Sequence, residues 1–129
     1  MTRYRHIEDD HQATFFKWVR LMERSDSRYA NIIAIPNGGR RDVREAARLK
    51  AGGVKAGVSD ILVSVPVGGF HGLWIELKRP RVKNQSAPVV SAEQKAWQAA
   101  QSALGYAVAV CYGWEDARVV TEFYFLGTE

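Results

Sequence analysis

The sequence predicts an α/β protein in which helices flank a mixed central sheet. Three observations support this fold class. Strand-like apolar segments alternate with helical segments, the last strand follows a helix, and one strand is apolar enough to be covered on both faces. A strand that follows a helical crossover can lie parallel to an earlier strand. A sheet that is buried on both faces needs helices on both sides.

The helical segments are indicated by apolar spacing and by signals at their ends. Residues 6–24 carry apolar side chains at helical intervals, and residues 41–51 precede two glycines that are typical of a helix C-terminus. A capping-box pattern at Ser91 opens a third helix over residues 91–104. A final helix is predicted to start near Trp114.

The strands are indicated by β-branched and apolar residues between turn signals. Residues 31–36 form a short strand that ends at a proline. Residues 60–65 and 72–78 read as an antiparallel pair around a two-glycine turn. Residues 106–112 form the last strand. The polar residues 81–90 are predicted to be a mobile loop.

Length and composition indicate a single intracellular domain. The 129 residues suit one domain over residues 1–129 with one core. No apolar run approaches the roughly 20 residues that span a bilayer, and the charged N-terminus does not resemble an export signal. The single cysteine, Cys111, forms neither an internal disulfide nor a thiolate zinc site. We therefore expect a cytoplasmic protein.

The net charge of +4 favours a polyanionic partner. Lys and Arg side chains displace counterions from a phosphate backbone, which favours binding. Many of the 18 Lys and Arg residues fall into two clusters, one in residues 40–55 and one in residues 78–83. On charge alone, two solvated charged faces are the better interpretation of these clusters.

The segment at residues 73–78 places charges where a core is expected. Side chains alternate between the two faces of a strand, so Glu76 and Lys78 share a face with Trp74. Burying a carboxylate or an ammonium group costs several kcal/mol unless the group is paired or binds a metal. An edge strand with a Glu–Lys surface pair is the structural alternative.

Asp60 makes a functional site the better interpretation. It opens the strand that precedes residues 72–78, and in an antiparallel pair the start of one strand lies near the end of the other. Asp60 should then lie close to Glu76 and Lys78. Two carboxylates suit a hard divalent cation such as Mg²⁺, which prefers oxygen ligands. A turn or cap residue is the alternative role for Asp60.

The first helix supplies two further candidates, Glu8 and Gln12. Both continue the apolar stripe of Phe15 toward the N-terminus, so they either line a polar pocket beside the metal or run off the core into water. His11 flanks this stripe, and we expect it at the surface or the edge of the core. The following later residues are predicted to be core: Trp97, Ala100, Leu104, Tyr106 and Tyr112.

These residues resemble the PD-(D/E)xK nuclease superfamily, and in particular its VRR-NUC branch, the virus-type replication-repair nucleases. The pattern Gly57-Val58-Ser59-Asp60 followed by Trp74-Ile75-Glu76-Leu77-Lys78 carries the resemblance. Ser59 stands where the family usually has proline. Supporting matches are Glu8, Gln12, Ile35-Pro36-Asn37-Gly38-Gly39, Lys50 to Gly53, Arg79, Ser91 to Gln94, Trp97 and Gly105-Tyr106.

The resemblance implies a restriction-endonuclease-like fold and Mg²⁺- or Mn²⁺-dependent hydrolysis of DNA. The short chain is similar to the stand-alone bacterial and phage members, which implies a homodimer that acts on branched DNA such as four-way (Holliday) junctions in repair. A DNA-binding module without catalysis, a monomeric flap or end nuclease, and an RNA nuclease are the alternatives.

Each candidate residue has an expected role in such a nuclease. Asp60 and Glu76 would hold the metal with the backbone carbonyl of Leu77, while Lys78 would orient the attacking water or neutralise developing charge. Glu8 would join through water or a second ion. Residues expected to position the phosphate, the metal shell or the DNA backbone are Gln12, Gln94, Arg40, Arg41, Lys50 and Lys55. For Gln94, the capping box alone is also a sufficient role.

Overall fold

The computed structural model describes residues 3–36 and 42–127. Its helices are α1 (Arg3–Glu23), α2 (Val43–Ala51), α3 (Ala92–Ala103) and α4 (Trp114–Leu126), and a 3₁₀ helix spans Ser27–Asn31. Its strands are β1 (Ile32–Ala34), β2 (Ile61–Val63), β3 (Leu73–Lys78) and β4 (Ala107–Tyr112). Residues 37–41, which include the predicted Asn37-Gly38-Gly39 turn, lie outside the described residues.

Within the described residues the four strands form one mixed sheet in the order β1-β2-β3-β4. β1 pairs with β2 and β2 with β3 in antiparallel fashion, whereas β3 and β4 are parallel. All six residues of β3 are buried, so this strand is central. The predicted fold class, the antiparallel pair and the parallel last strand are therefore confirmed.

Helices cover both faces of the sheet. One face packs against α1 and α4, and its core includes Phe15, Ile75 and Phe125. On the other face Trp74 stacks edge-on against Trp97 of α3, with ring centroids 5.3 Å apart. Charged side chains on this second face of β3 therefore point toward α3 and away from the main apolar core.

The predicted elements are present, but several boundaries differ. Helix α1 begins at Arg3, before the predicted residue 6. The first strand is shorter than residues 31–36 because a 3₁₀ helix extends to Asn31 and Pro36 has no N–H to donate. Residues 81–90 contain neither helix nor strand, as predicted.

Two predicted core residues are wrong. Ala100 is exposed, and Leu104 is 63% exposed. The face of α3 that contacts the sheet runs through Gln94, Trp97 and Gln101, and Leu104 is the C-cap beyond it. Apolar residues at helical spacing predicted the helix correctly but not the extent of its buried face.

His11 lies at the edge of the core, as expected, and has a structural contact there. Helix α4 begins after Gly113, which has no side chain to cap the first turn. The Nδ1 atom of His11 accepts a hydrogen bond of 3.0 Å from the backbone N–H of Trp114. Helix α1 thus caps α4 across the interface between them. No described helix has the length and apolar character needed to cross a bilayer.

Candidate active site

The candidate site lies where β2 begins and β3 ends. The register pairs Ile61 with Ile75, so Asp60, just before β2, lies level with the last residues of β3. Asp60 is half-buried, whereas Glu76 and Lys78 are only 3% and 8% exposed. The antiparallel pairing therefore brings the three predicted residues to one end of the sheet.

A β-bulge aims the Asp60 side chain into the site. The N–H of Asp60 donates to the Ile75 carbonyl at 3.1 Å, although Ile61 is the register partner of Ile75. Two successive residues thus face one residue of β3, which is the pattern of a bulge. The Oδ2 atom of Asp60 then accepts the N–H of Leu77 at 2.7 Å. The carboxylate continues the hydrogen-bond ladder past the end of β2.

The backbone carbonyl of Leu77 is directed toward Asp60. The carbonyls of Gly72 and Lys78 point toward β4 and accept hydrogen bonds from the N–H groups of Ala107 and Gly113. The backbone N–H and C=O of one strand residue point toward the same neighbouring strand, and those of the next residue point toward the strand on the other side. Because the N–H of Leu77 points to Asp60, its carbonyl oxygen lies on the same side.

Glu76 is buried with one of its two carboxylate oxygens unsatisfied. Its Oε2 accepts a hydrogen bond of 3.0 Å from Gln94 and lies 3.7 Å from Nζ of Lys78. Its Oε1 is buried and has no hydrogen-bond donor among the described residues. A buried carboxylate oxygen without a donor is costly, and a cation can satisfy it.

The two carboxyl groups compete for a proton. Burial, together with the nearby Asp60, raises the pKa of Glu76 to about 8. Burial also raises the pKa of Asp60, although the Leu77 N–H opposes this shift. A proton on one of two neighbouring buried carboxyl groups relieves the repulsion between them. In the absence of a cation the pair therefore retains a proton to unusually high pH.

Gln94 connects the lysine to the carboxylate. Its Oε1 accepts hydrogen bonds of 2.9 Å from Nζ of Lys78 and from the backbone N–H of Ser91, and its Nε2 donates to Glu76. The capping box that starts α3 is present, as predicted. The same amide therefore makes both the capping interaction and the contact with Glu76 and Lys78.

Glu8 joins the site from α1, whereas no hydrogen bond links Gln12 to the described residues of the site. The carboxyl group of Glu8 is half-buried and accepts a hydrogen bond from the backbone N–H of Arg79. Burial raises its pKa, and the positive charge of Lys78 partly offsets the rise. Gln12 is half-buried one turn further along, and its amide makes no hydrogen bond within the described residues.

Two of the residues predicted to contact the DNA backbone, Lys50 and Lys55, lie near the end of α2. Lys50 is exposed in α2, and Lys55 is exposed in the loop that follows. Lys55 also lines an open cleft of about 520 Å³ together with Glu93 and Trp97 of α3. Arg40 and Arg41 lie outside the described residues.

Comparison with known proteins identifies the fold. The structure superposes on that of a solved protein named "VRR_NUC domain protein" with a TM-score of 0.75 and 26% sequence identity, over 95% of this chain and 90% of that one. The chain has the fold of the VRR-NUC family. No sequence profile of a known family matches it, and no curated protein does.

In this VRR-NUC fold the oxygen donors are few. Among residues 3–36 and 42–127, no group of three or more His, Cys, Asp or Glu side chains is arranged to hold a metal ion. The candidate donors are Asp60, Glu76 and the carbonyl of Leu77. Such a set suits Mg²⁺, which usually keeps several waters and takes one or two carboxylates from protein.

Two features that position the candidate site had no clear sequence signal. The bulge at Asp60 arises from the pairing of two strands that are distant in sequence, which local pattern does not reveal. The second feature is Gly57, where a Cβ atom would lie 2.5 Å from the carbonyl oxygen of Glu93. Its φ of +92° favours glycine. The sequence does not reveal its close approach to α3, because that contact depends on tertiary structure.

Proposed function

We propose that this chain is a metal-dependent structure-specific endodeoxyribonuclease. It hydrolyses phosphodiester bonds with Mg²⁺ or Mn²⁺, acts on branched DNA such as four-way junctions, and works as a homodimer. The observation that carries the proposal is the unsatisfied Oε1 of Glu76, buried beside Asp60 and Lys78 at the end of the sheet. Folding alone would favour apolar side chains at these positions.

The donor set fits a hard divalent cation. Asp60, Glu76 and the carbonyl of Leu77 would hold it, and Glu8 would reach it through water or hold a second ion. Bound there, the cation would lower the pKa of a coordinated water and stabilise negative charge on the scissile phosphate. A cation would also replace the proton that the two carboxyl groups otherwise share.

Lys78 supplies a positive charge that is fixed before substrate arrives. Its Nζ is held by Gln94 and lies beside Glu76, so it need not reorganise when charge develops. We assign Lys78 the role of orienting the attacking water or neutralising the phosphate oxygens. Gln94 orients Lys78 and Glu76, and Gln12 would help to position the phosphate or the metal shell.

The remaining basic residues would bind the DNA backbone without reading sequence. Lys50 and Lys55 are exposed, and Arg40 and Arg41 precede α2 in the chain. Contacts of this kind set register and affinity. We expect the protein to act in the cytoplasm of a bacterial or phage-infected cell, where its single cysteine stays reduced.

The two-fold symmetry of a four-way junction supports the proposal that a homodimer acts on it. A four-way junction has approximate two-fold symmetry and needs two cuts, and a two-fold dimer presents two equal sites. Helix α4 exposes an apolar stripe of Val119, Phe123 and Leu126, which are 52%, 63% and 72% exposed. An apolar patch of this kind is suited to self-association.

A substrate screen tests the proposal. Purified protein is incubated with duplex, flap, splayed-arm and four-way DNA in Mg²⁺, in Mn²⁺ and in EDTA. We expect cleavage with either metal, most efficiently on the junction, and no cleavage in EDTA. Binding without cleavage in both metals would indicate a non-catalytic DNA-binding module instead. Preferential cleavage of flaps or ends by a monomer would indicate the other alternative.

A further inference from the structure

Arg81 is held against an aromatic ring next to the candidate active site. Its guanidinium carbon lies 4.3 Å from the centroid of the Tyr112 ring. Arg81 is exposed, and Tyr112 is half-buried at the end of β4. A guanidinium group stacks favourably on an aromatic face. The sequence suggested a core role for Tyr112, but its ring supports a surface cation.

The stacked pair flanks the site on the side opposite Asp60. Tyr112 is the register partner of Lys78 in the parallel β3–β4 pair, so the two side chains leave the same face of the sheet. Adjacent strands lie about 4.8 Å apart. The end of the sheet therefore presents Asp60 on β2, the carboxylate and lysine on β3, and the stacked pair on β4.

The charge of Arg81 is not neutralised within the described residues. Arg28 also lies over an aromatic ring, that of Phe125, but it forms an ion pair of 2.8 Å with Asp26. Arg118 pairs with Glu122 at 3.0 Å. Arg81 has no carboxylate within 4.0 Å in residues 3–36 and 42–127. The face of its guanidinium group lies against the Tyr112 ring, and the N–H groups remain available to donate hydrogen bonds to an anion.

We propose that Arg81 binds a backbone phosphate of the DNA strand that is cut, next to the scissile phosphate. Tyr112 is a positioning residue that acts through Arg81. The inference rests on the proposed nuclease function and names one substrate contact of the same site. A phosphate fits because guanidinium binds it through two parallel N–H groups, and a guanidinium fixed by stacking loses little freedom on binding.

DNA binding measured at several salt concentrations tests this contact. A labelled duplex or junction is titrated in Ca²⁺ with the Arg81→Met and Arg81→Lys variants. Arg20→Met is the matched control, because Arg20 is exposed on α1 about 18 Å farther along the helix axis than Glu8. We expect Arg81→Met to bind about tenfold more weakly and to lower the salt slope by about one. Arg81→Lys should retain the slope but lose part of the affinity, and Arg20→Met should match wild type.

Variants of Tyr112 separate positioning from simple structural support. Tyr112→Phe keeps the ring and should bind like wild type, whereas Tyr112→Leu should weaken binding. In the double variant with Arg81→Met, the effect of Tyr112→Leu should disappear because Tyr112 acts through Arg81. Additive effects of the two substitutions would overturn the positioning role.

The outcome for the contact is distinguishable from the outcome for the nuclease. If wild type binds and cleaves DNA but Arg81→Met keeps its affinity and salt slope, the Arg81 contact is wrong and the nuclease stands. A lower melting temperature with an unchanged salt slope would likewise overturn it, and would mean that Arg81 only anchors its loop. If wild type neither binds nor cleaves DNA, both proposals fail.

Discussion

At the scale of single residues, the role proposed for Glu76 conflicts with the requirements of folding. The carboxyl group is buried next to another acid, and one of its oxygens has no donor among the described residues. Lys78 and Gln94 interact only with the other oxygen, Oε2. A site of this kind lowers the stability of the folded protein until a cation or a proton binds. The stability of the folded protein therefore depends on pH.

The raised pKa of Glu76 predicts how stability changes with pH in the absence of metal. The folded pKa is about 8 and the ordinary value is 4.5, so the folded state binds the proton more tightly. This contribution to stability is fully present below pH 4.5 and is lost as pH rises through 8. Urea unfolding in EDTA from pH 5 to 9 should show the loss in wild type and a smaller one in Glu76→Gln. Parallel pH profiles would contradict the assignment. Mg²⁺ should stabilise wild type most above pH 8.

Glu8 is predicted to matter more than a surface acid of the same helix. Its carboxyl group accepts the Arg79 N–H and lies near Lys78, whereas Glu23 is exposed at the end of α1. We expect Glu8→Ala to lower kcat/KM about tenfold or more and Glu23→Ala to leave it unchanged, since loss of an outer-shell partner of a metal site typically costs about 10–100-fold in activity. Equal activities in a steady-state assay would mean that Glu8 is an ordinary surface acid.

At the scale of secondary-structure elements, two connections bring the site together. The bulge before β2 turns Asp60 toward Leu77, and the first turn of α3 delivers Gln94. Gly57 holds the loop before β2 directly against the backbone of Glu93 in that first turn. The position of α3 relative to β2 therefore depends on a glycine.

Substitution of Gly57 should disrupt the site, and Gly53 provides a matched control. Both glycines have positive φ, +92° and +103°, so alanine is strained at either position by about 1–2 kcal/mol. Only at Gly57 would the new Cβ meet the backbone of Glu93; at Gly53 nothing lies within 4 Å. Gly57→Ala should cost more stability and reduce cleavage, while Gly53→Ala should cost stability alone. Equal cleavage rates for the two variants would contradict this.

The elements that sequence predicted well are those with local signals. The capping box of Ser91 and Gln94 and the alternation around Glu76 are encoded within a few residues, and both appear in the structure. Proximity of Asp60 to Glu76 followed from one antiparallel pairing. The bulge, the contact of Gln94 with Lys78 and the stacking of Arg81 on Tyr112 depend on how distant segments pack, which local periodicity does not encode.

At the scale of the whole molecule, the site and the apolar surface lie at opposite ends of the sheet. The site is at the last residues of β3, whereas an apolar cleft of about 200 Å³ lies near its first residue, Leu73. Phe70, Val108 and Phe123 also line this cleft. Self-association through this end would leave both sites of a dimer open to DNA.

The dimer prediction can be tested with two apolar residues of equal exposure. Phe123 is 63% exposed and lines the cleft, whereas Leu21 is 60% exposed on α1 and does not. We expect wild type to sediment as a dimer at micromolar concentration, Phe123→Asp as a monomer and Leu21→Asp as a dimer. Competition assays at fixed salt should show that the dimer prefers junction to duplex. A monomeric wild type with undiminished activity would rule the dimer out.

Single-turnover cleavage at saturating Mg²⁺, with metal binding measured on the same proteins, tests the site most directly. We predict that Glu76→Ala and Lys78→Met both fold but cleave at least about a hundredfold more slowly than wild type, because each removes charge that acts on the reacting phosphate. Glu76→Ala should also bind Mg²⁺ more weakly, whereas Lys78→Met should not, since lysine is not a ligand. Cleavage at the wild-type rate by either folded variant would contradict the assignment of Asp60, Glu76 and Lys78 as the active site.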